Sequence, residues 1–217
     1  MAKETLKQQA YHIIKDKIIS CEYLPNTLLN EEKLREEVHA SRTPVRDALS
    51  RLEQEKLIQI LPKKGIMVSP LSIREINMIY EARMLMEPYA VEHYGDRIMG
   101  QRLAYYHGMF QGDSRQGSMR AFYEVDNEFH QEFIDATEND YFRNMYERIF
   151  NQNCRLRILS GVKSETRIAE TRVEHCKIVE SCMKKDWGQA AAAMREHLVC
   201  SKRASFEAIL EKQDMMI

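Results

Sequence analysis

Ser41-Arg42-Thr43-Pro44-Val45-Arg46-Asp47-Ala48-Leu49 reads as the opening of a helix with two unlike faces. Ser41 or Thr43 can cap it, because either side-chain oxygen can accept from backbone N–H groups that a helix start leaves unpaired. Pro44 suits the first turn, where a missing N–H has no intrahelical partner to lose. Val45, Ala48, Leu49 and Leu52 fall on one stripe, while Arg42, Arg46 and Arg51 point elsewhere. A short helix with a buried stripe and arginines at its N-terminal end suits insertion into a DNA major groove.

The residues on either side give that helix a context. Leu6, Ala10, Ile13, Ile14, Lys17 and Ile18 recur at helical spacing and predict a first helix ending near Cys21. Pro25-Asn26 marks a turn, since proline fixes φ and asparagine tolerates the left-handed region. Asn30 can cap a second helix over 31–38, with Leu34 and Val38 on one face, and His39-Ala40 leads into the third, 42–55. Two helices joined this way form a helix-turn-helix. Two β-prone runs, Leu57–Leu61 and Ile66–Ser69, flank Pro62-Lys63-Lys64-Gly65 and predict a hairpin. A hairpin directly after a groove-reading helix is a wing, and Lys63 and Lys64 sit at its tip where a phosphate would lie. A small α+β domain with a solvated basic turn has the same outline, and winged helices also bind proteins, so fold alone does not fix function. The arginines at the helix start and the two lysines at the wing tip favour DNA.

Composition sets wider bounds. The chain has 217 residues, 44% hydrophobic and 30% charged, an ordinary globular balance rather than a disordered one. No apolar run approaches bilayer length and the N-terminus lacks a signal-peptide pattern, so a cytoplasmic protein with no membrane partner is expected. Five cysteines without Cys-x-x-Cys spacing also fit a reducing compartment. The net charge is −1; residues 1–70 carry twelve Lys/Arg against ten Asp/Glu, and the remainder twenty against twenty-three. An asymmetry this small leaves the DNA argument resting on where the arginines sit.

Ser69-Pro70-Leu71-Ser72 ends the wing, and from there the chain reads as helix to the end. The expected organisation is mostly α: a winged helix-turn-helix over 1–70 and a six-helix antiparallel bundle over 71–217. The helices are expected near 72–94, 97–111, 118–137, 140–160, 165–185 and 188–213. Breaks fall at Gly95-Asp96, Gly112-Asp113 with Gly117-Ser118, Glu138-Asn139-Asp140, Ser160-Gly161 with Ser164, and Lys185-Asp186.

Four polar side chains stand where the bundle should be apolar. Asp126 and His130 are four residues apart on one helix face, flanked by Phe122, Phe129, Phe133 and Ile134. His175 and His197 lie mid-helix, eleven residues before and eleven after Asp186, which with Gln189 forms a capping-box-like start. Equal distances from the turn of a helical hairpin put the two histidines at one height, where Asp126 and His130 can join them from a third helix. Three neutral imidazoles and a carboxylate make a site for a divalent first-row metal; zinc suits it best, with nickel and others possible. A single mid-helix histidine is more often a plain core or surface residue, so the matched heights carry the reading. Cys176 and Cys200, nearby in sequence, read as small core residues. Arg83 shares a stripe with Ile76, Tyr80 and Glu87, so its charge points inward and needs an anion: Glu87 one turn on, or an effector carboxylate.

The run SRTPVRDALSRLEQEKLI (41–58) followed by PKKGIMVSPL (62–71) resembles the N-terminal domain of GntR-family bacterial transcription regulators, over essentially all of residues 6–70. Asn26 and His39-Ala40 stand where that family usually has Gly and Gly-Val. Asp126-x-x-Phe129-His130, Glu174-His175-x-x-Ile178 and Glu196-His197-Leu198 resemble the metal-binding pattern of the FCD ligand-sensing domain found in the FadR subfamily. Six helices rather than seven bring the chain closer to the VanR-like branch. The resemblance implies operator contacts from Arg42, Thr43 and Arg46, with Gly65 near the minor groove; Ser41, Lys63 and Lys64 complete the expected DNA-binding set. It also implies a metal held by Asp126, His130, His175 and His197, with open positions for water or a small carboxylate effector that Arg83 would help to bind. The function expected is a homodimeric DNA-binding transcription regulator, a repressor in the first instance with the sign left open, whose operator binding a small organic acid modulates at the metal-containing pocket of the C-terminal domain. The alternatives are a helical metallohydrolase using the same ligands around an activated water, and a winged-helix interaction module with a structural metal.

Overall fold

The computed structural model of the protein describes residues 5–112, 119–160 and 165–214. Helix α1 spans Leu6–Ile19 and begins at Thr5, whose hydroxyl accepts from Gln8 N at 3.3 Å while Gln8 Oε1 accepts from Thr5 N at 3.0 Å. Its buried face is Ala10, Tyr11, Ile14, Lys15 and Ile18. The stripe is rotated from the expected one, for Leu6 and Ile13 are exposed and Tyr11 and Lys15 are inside. The cause is Glu55, which accepts from Tyr11 OH at 2.6 Å and lies 3.3 Å from Lys15 Nζ. The helix also stops earlier than expected, with Cys21 left-handed at φ 56°.

Helix α2, Glu31–Glu37, is capped by Asn30, whose side chain accepts from Glu32 N at 2.7 Å. Asn26 and His39 both sit in the left-handed region, at φ 65° and 50°, the positions where a related chain would carry glycine. Helix α3, Arg42–Gln54, buries Val45, Ala48, Leu49 and Leu52 as its pattern requires. Ser41, one of the two expected caps, holds the N-cap position, yet its side chain makes no cap hydrogen bond. Strands β2, Ile58–Leu61, and β3, Gly65–Val68, form the hairpin, paired from Ile58 with Val68 to Leu61 with Gly65. Gly65 at φ 108° is a conformation that other residues rarely adopt. A third strand, β1, Leu28–Leu29, covers the other edge of β3, and two residues are too short a run to show alternation in sequence.

The remaining helices are α4, Ile73–Tyr94; α5, Gly100–Gln111; α6, Met119–Ala136; α7, Asp140–Ser160; α8, Glu165–Met183; and α9, Trp187–Asp214. The start expected at 97 is instead a 3-10 turn, Gly95–Arg97, ahead of α5. The breaks expected at Asp113, Gly117-Ser118, Gly161 and Ser164 lie outside the described residues. Asn139 caps α7 by accepting from Tyr141 N at 2.9 Å, and Asp186 caps α9 by accepting from Gln189 N at 3.0 Å. Lys185, left-handed at φ 58°, closes the tight link between α8 and α9, which pack on each other; α4 packs on α9 and α6.

The chain divides into two compact units, Met1–Ser72 with Asn151–Leu159, and Ile73–Phe150 with Ser160–Ile217. The second half of α7 therefore belongs with the winged helix, and its buried Arg155 donates to the carbonyl of Ser69. Nothing in the sequence signalled that assignment. Within the second unit, a Cβ on Gly95 would stand 2.8 Å from two ring carbons of Trp187. Gly95→Ala is thus expected to destabilise the protein by about 1–3 kcal/mol, as overpacking does, read from denaturant unfolding of the full chain. An unchanged midpoint would mean that the Trp187 ring moves aside freely.

Candidate metal centre

Helix α6 contributes Asp126 and His130, α8 contributes His175 and α9 contributes His197; these four side chains are at most 2% exposed. The ligand nitrogens of the three histidines all lie within 4.8 Å of one another. His175 Nε2 is 3.4 Å from His197 Nε2. Two nitrogens bound at about 2.0–2.1 Å to one tetrahedral zinc ion stand about 3.4 Å apart, so this spacing is that of two ligands sharing an ion. Asp126 Oδ1 lies 3.5 Å from His175 Nε2 and so borders the triad through that residue.

The chemistry of the other ring nitrogens decides what the triad can hold. His197 Nδ1 is 2.7 Å from Glu174 Oε2, and His130 Nδ1 is 2.8 Å from Glu87 Oε2. A carboxylate beside Nδ1 keeps the proton there and leaves the lone pair on Nε2. Burial pushes His197 well below its ordinary value, with His130 acting the same way, so it stays neutral, the form that ligates metals. Two oriented lone pairs, and a third ring beside them, therefore meet in a buried interior. Phe110 and Phe129 close one side, with ring centres 4.5 and 5.0 Å from that of His175.

Each carboxylate is in turn fixed by an arginine. Arg83 donates from Nε to Glu87 Oε1 at 2.5 Å, and Tyr146 OH donates to the same oxygen at 2.8 Å. Burial alone would raise the Glu87 carboxyl, but Arg83 and His130 hold it well below the usual carboxylate range, so it remains an anion. On the other side Arg167 grips Glu174 with two bonds of 2.6 and 2.8 Å and donates to Ser201 Oγ at 3.1 Å. The inward charge expected of Arg83 is present, and Glu87 is the partner found for it. Apolar spacing marks neither Glu87 nor Glu174 as a partner of a histidine, and it does not mark Arg167. A signal for Glu174 existed: it lies twelve residues before Asp186 and His197 eleven after, nearly level across the hairpin.

The expected DNA-facing residues lie in the other unit. Ser41, Arg42, Thr43 and Arg46 are exposed at the start of α3, and Lys63, Lys64 and Gly65 are exposed at the wing tip. Glu31, at the start of α2, lies 3.3 Å from Arg42 Nε and 3.2 Å from Arg46 Nε. No described helix is long and apolar enough to cross a membrane.

The FCD domain model matches residues 78–199, and the model of bacterial regulatory proteins, gntR family, matches residues 6–68. The HTH-type transcriptional repressor GlaR of Escherichia coli is 28% identical over 204 residues, 87% of this chain and 90% of that one. The HTH-type transcriptional repressor RspR of the same organism is 26% identical over 199 residues, 90% and 86% of the two chains. The solved structure of E. coli McbR/YncC has the same fold, with a TM-score of 0.79, 18% identity, and 94% of this chain and 99% of that one covered. The Zn2+-bound FCD domain of TM0439 matches with a TM-score of 0.53 and 24% identity over 65% of this chain and 96% of that one.

Because Glu174 orients His197, Glu174→Gln should weaken metal binding about 10–100-fold while leaving helix content unchanged, measured by competition with a chromophoric chelator. His175→Ala should lower the metal stoichiometry of the purified protein outright. Wild-type affinity in the first variant would remove Glu174 from the site, and wild-type stoichiometry in the second would remove His175.

Proposed function

We propose that this chain, which belongs to the FCD-domain regulators of the bacterial gntR family, binds operator DNA as a homodimer and alters its grip when a small organic acid reaches the metal centre. The family is one of DNA-binding transcription regulators and not of enzymes. The metallohydrolase reading falls with that, since the family and the relatives named above are regulators. Repression is the direction carried in the names of GlaR and RspR, and it is the direction proposed for this chain, acting in the cytoplasm.

The observation that carries the sensing half is the convergence of the three histidines, each at most 2% exposed. Asp126, His130, His175 and His197 would hold the metal, zinc in the first instance, as a Lewis acid on which a carboxylate can dock. Glu87 and Glu174 orient two of the ligands, and Phe110 and Phe129 pack their rings against His175. Arg83 spends Nε and Nη2 on Glu87, so a ligand carboxylate would reach it by exchange with that partner. Helix α4, which carries Arg83 and Glu87, begins one residue beyond the winged-helix segment Met1–Ser72. A change at the centre would therefore reach the DNA reader through continuous chain. The acid can shift DNA binding only by as much as its affinities for the two arrangements differ.

For the DNA half, Arg42, Thr43 and Arg46 would face base edges, while Ser41, Lys63, Lys64 and Gly65 would follow the phosphates and the flanking groove. Two copies related by a two-fold axis would read two half-sites. Arg46→Ala is expected to cost about 1–3 kcal/mol on the preferred duplex and far less on random DNA. An equal loss on both would make Arg46 a phosphate contact. The sensing half is tested by a panel of short hydroxy and keto acids added to metal-loaded and chelator-stripped protein. At least one acid should change operator affinity about 5–150-fold in the loaded form and leave the stripped form unmoved. Equal responses in both forms would separate effector sensing from the metal.

A further inference from the structure

Glu31 divides its carboxylate between two arginines of the next helix. Oε1 lies 3.3 Å from Arg42 Nε, and Oε2 accepts from Arg46 Nε at 3.2 Å. Arg42 and Arg46 are four residues apart, hence stacked on one face of α3. The glutamate side chain is 29% exposed, whereas the two arginines are 65% and 63% exposed. The closest approach in both pairs is at Nε, at the inner edge of the guanidinium. Among the described residues, no hydrogen bond runs from Nη1 or Nη2 of either arginine.

That division suits one kind of ligand. Arginine reads guanine by aiming two parallel donors at O6 and N7 in the major groove, and the Nη1–Nη2 edge is such a pair. A long exposed side chain pays rotamer entropy to take up that geometry, and a carboxylate gripping its Nε removes part of the cost beforehand. Exposed ion pairs contribute little to folding, so this contact is poorly explained as a source of stability. A carboxylate near the phosphates also works against random binding, in which only charge counts.

We infer that Glu31 is a positioning residue for base readout: it holds Arg42 and Arg46 by Nε and leaves their outer forks for the edges of two guanines in each half-site. The inference rests on the reading of α3 as the groove-entering helix. It separates Glu31 from a general acidic neighbour, because it acts on preference among bases and not on overall affinity.

The test is selection from a duplex library with a randomised core of about two helical turns, using full-length metal-loaded protein, wild type alongside Glu31→Gln and Arg46→Ala. Affinities are then measured at one salt concentration for the selected duplex and a scrambled one. Wild type should enrich guanine at two positions per half-site, and Arg46→Ala should flatten one of them. Glu31→Gln should flatten both and lower the selected-to-scrambled ratio about tenfold, with binding to the scrambled duplex equal or tighter. A Glu31→Gln protein that keeps the wild-type ratio and guanine preference overturns the inference, as does one that tightens on both duplexes alike. Wild type enriching no sequence would overturn the groove-reading premise and the inference with it, whereas retention of preference in Glu31→Gln alone leaves the premise standing.

Discussion

Two buried imidazole nitrogens 3.4 Å apart are the constraint around which the larger unit is arranged. Where His175 Nε2 or His197 Nε2 lacks a proton it turns its lone pair on the other, with His130 adding a third ring beside them. Burial without a compensating partner is costly for polar groups, and several of them facing one point multiply the cost. Protonation would relieve it, but burial holds His197 in the neutral form. A cation at the common point is the economical resolution. The two arginine–carboxylate pairs behind the rings then make sense as supports that fix which nitrogen faces inward.

The fold serves that arrangement by bringing four helices to one level. The three-residue link after α8 makes α8 and α9 a tight hairpin, so His175 and His197 face each other at equal distances from Asp186. Helix α6 offers Asp126 and His130 one turn apart, and α4 supplies the carboxylate that steadies His130. Arg83 and Arg167 differ in a useful way. Arg83 is sealed, 1% exposed, whereas the side chain of Arg167 keeps 12% exposure and also touches Ser201. The Arg83 pair is closed off from solvent, and the Arg167 pair is the more open of the two.

Most of this was legible in the residues, for physical reasons that also mark where legibility ended. The stripe of α3 and the six later helices follow from apolar spacing and from caps such as Asn139 and Asp186, which are local rules. The histidine heights follow from counting along a hairpin. What escaped depended on contacts between distant segments. Tyr11 and Lys15 turn inward because Glu55, forty residues away or more, receives them. Strand β1 exists because β3 has a free edge to pair. Glu87 meets His130 across more than forty positions, and Asn151–Leu159 joins the winged-helix unit with no compositional mark. Of the two residues expected as caps for α3, Ser41 holds the N-cap position without a side-chain cap bond.

We propose that the three histidines and Asp126 hold one metal ion with room for an exogenous oxygen. X-ray absorption at the metal edge of the purified protein distinguishes this set from others, since imidazole rings leave a distinctive outer-shell scattering pattern. The expected spectrum has three imidazole nitrogens at about 2.0–2.1 Å, the remaining first-shell scatterers oxygen, and no sulfur, and it changes in the oxygen shell when a bound acid is added. Sulfur scattering at about 2.3 Å would place the ion on cysteine instead and contradict the claim.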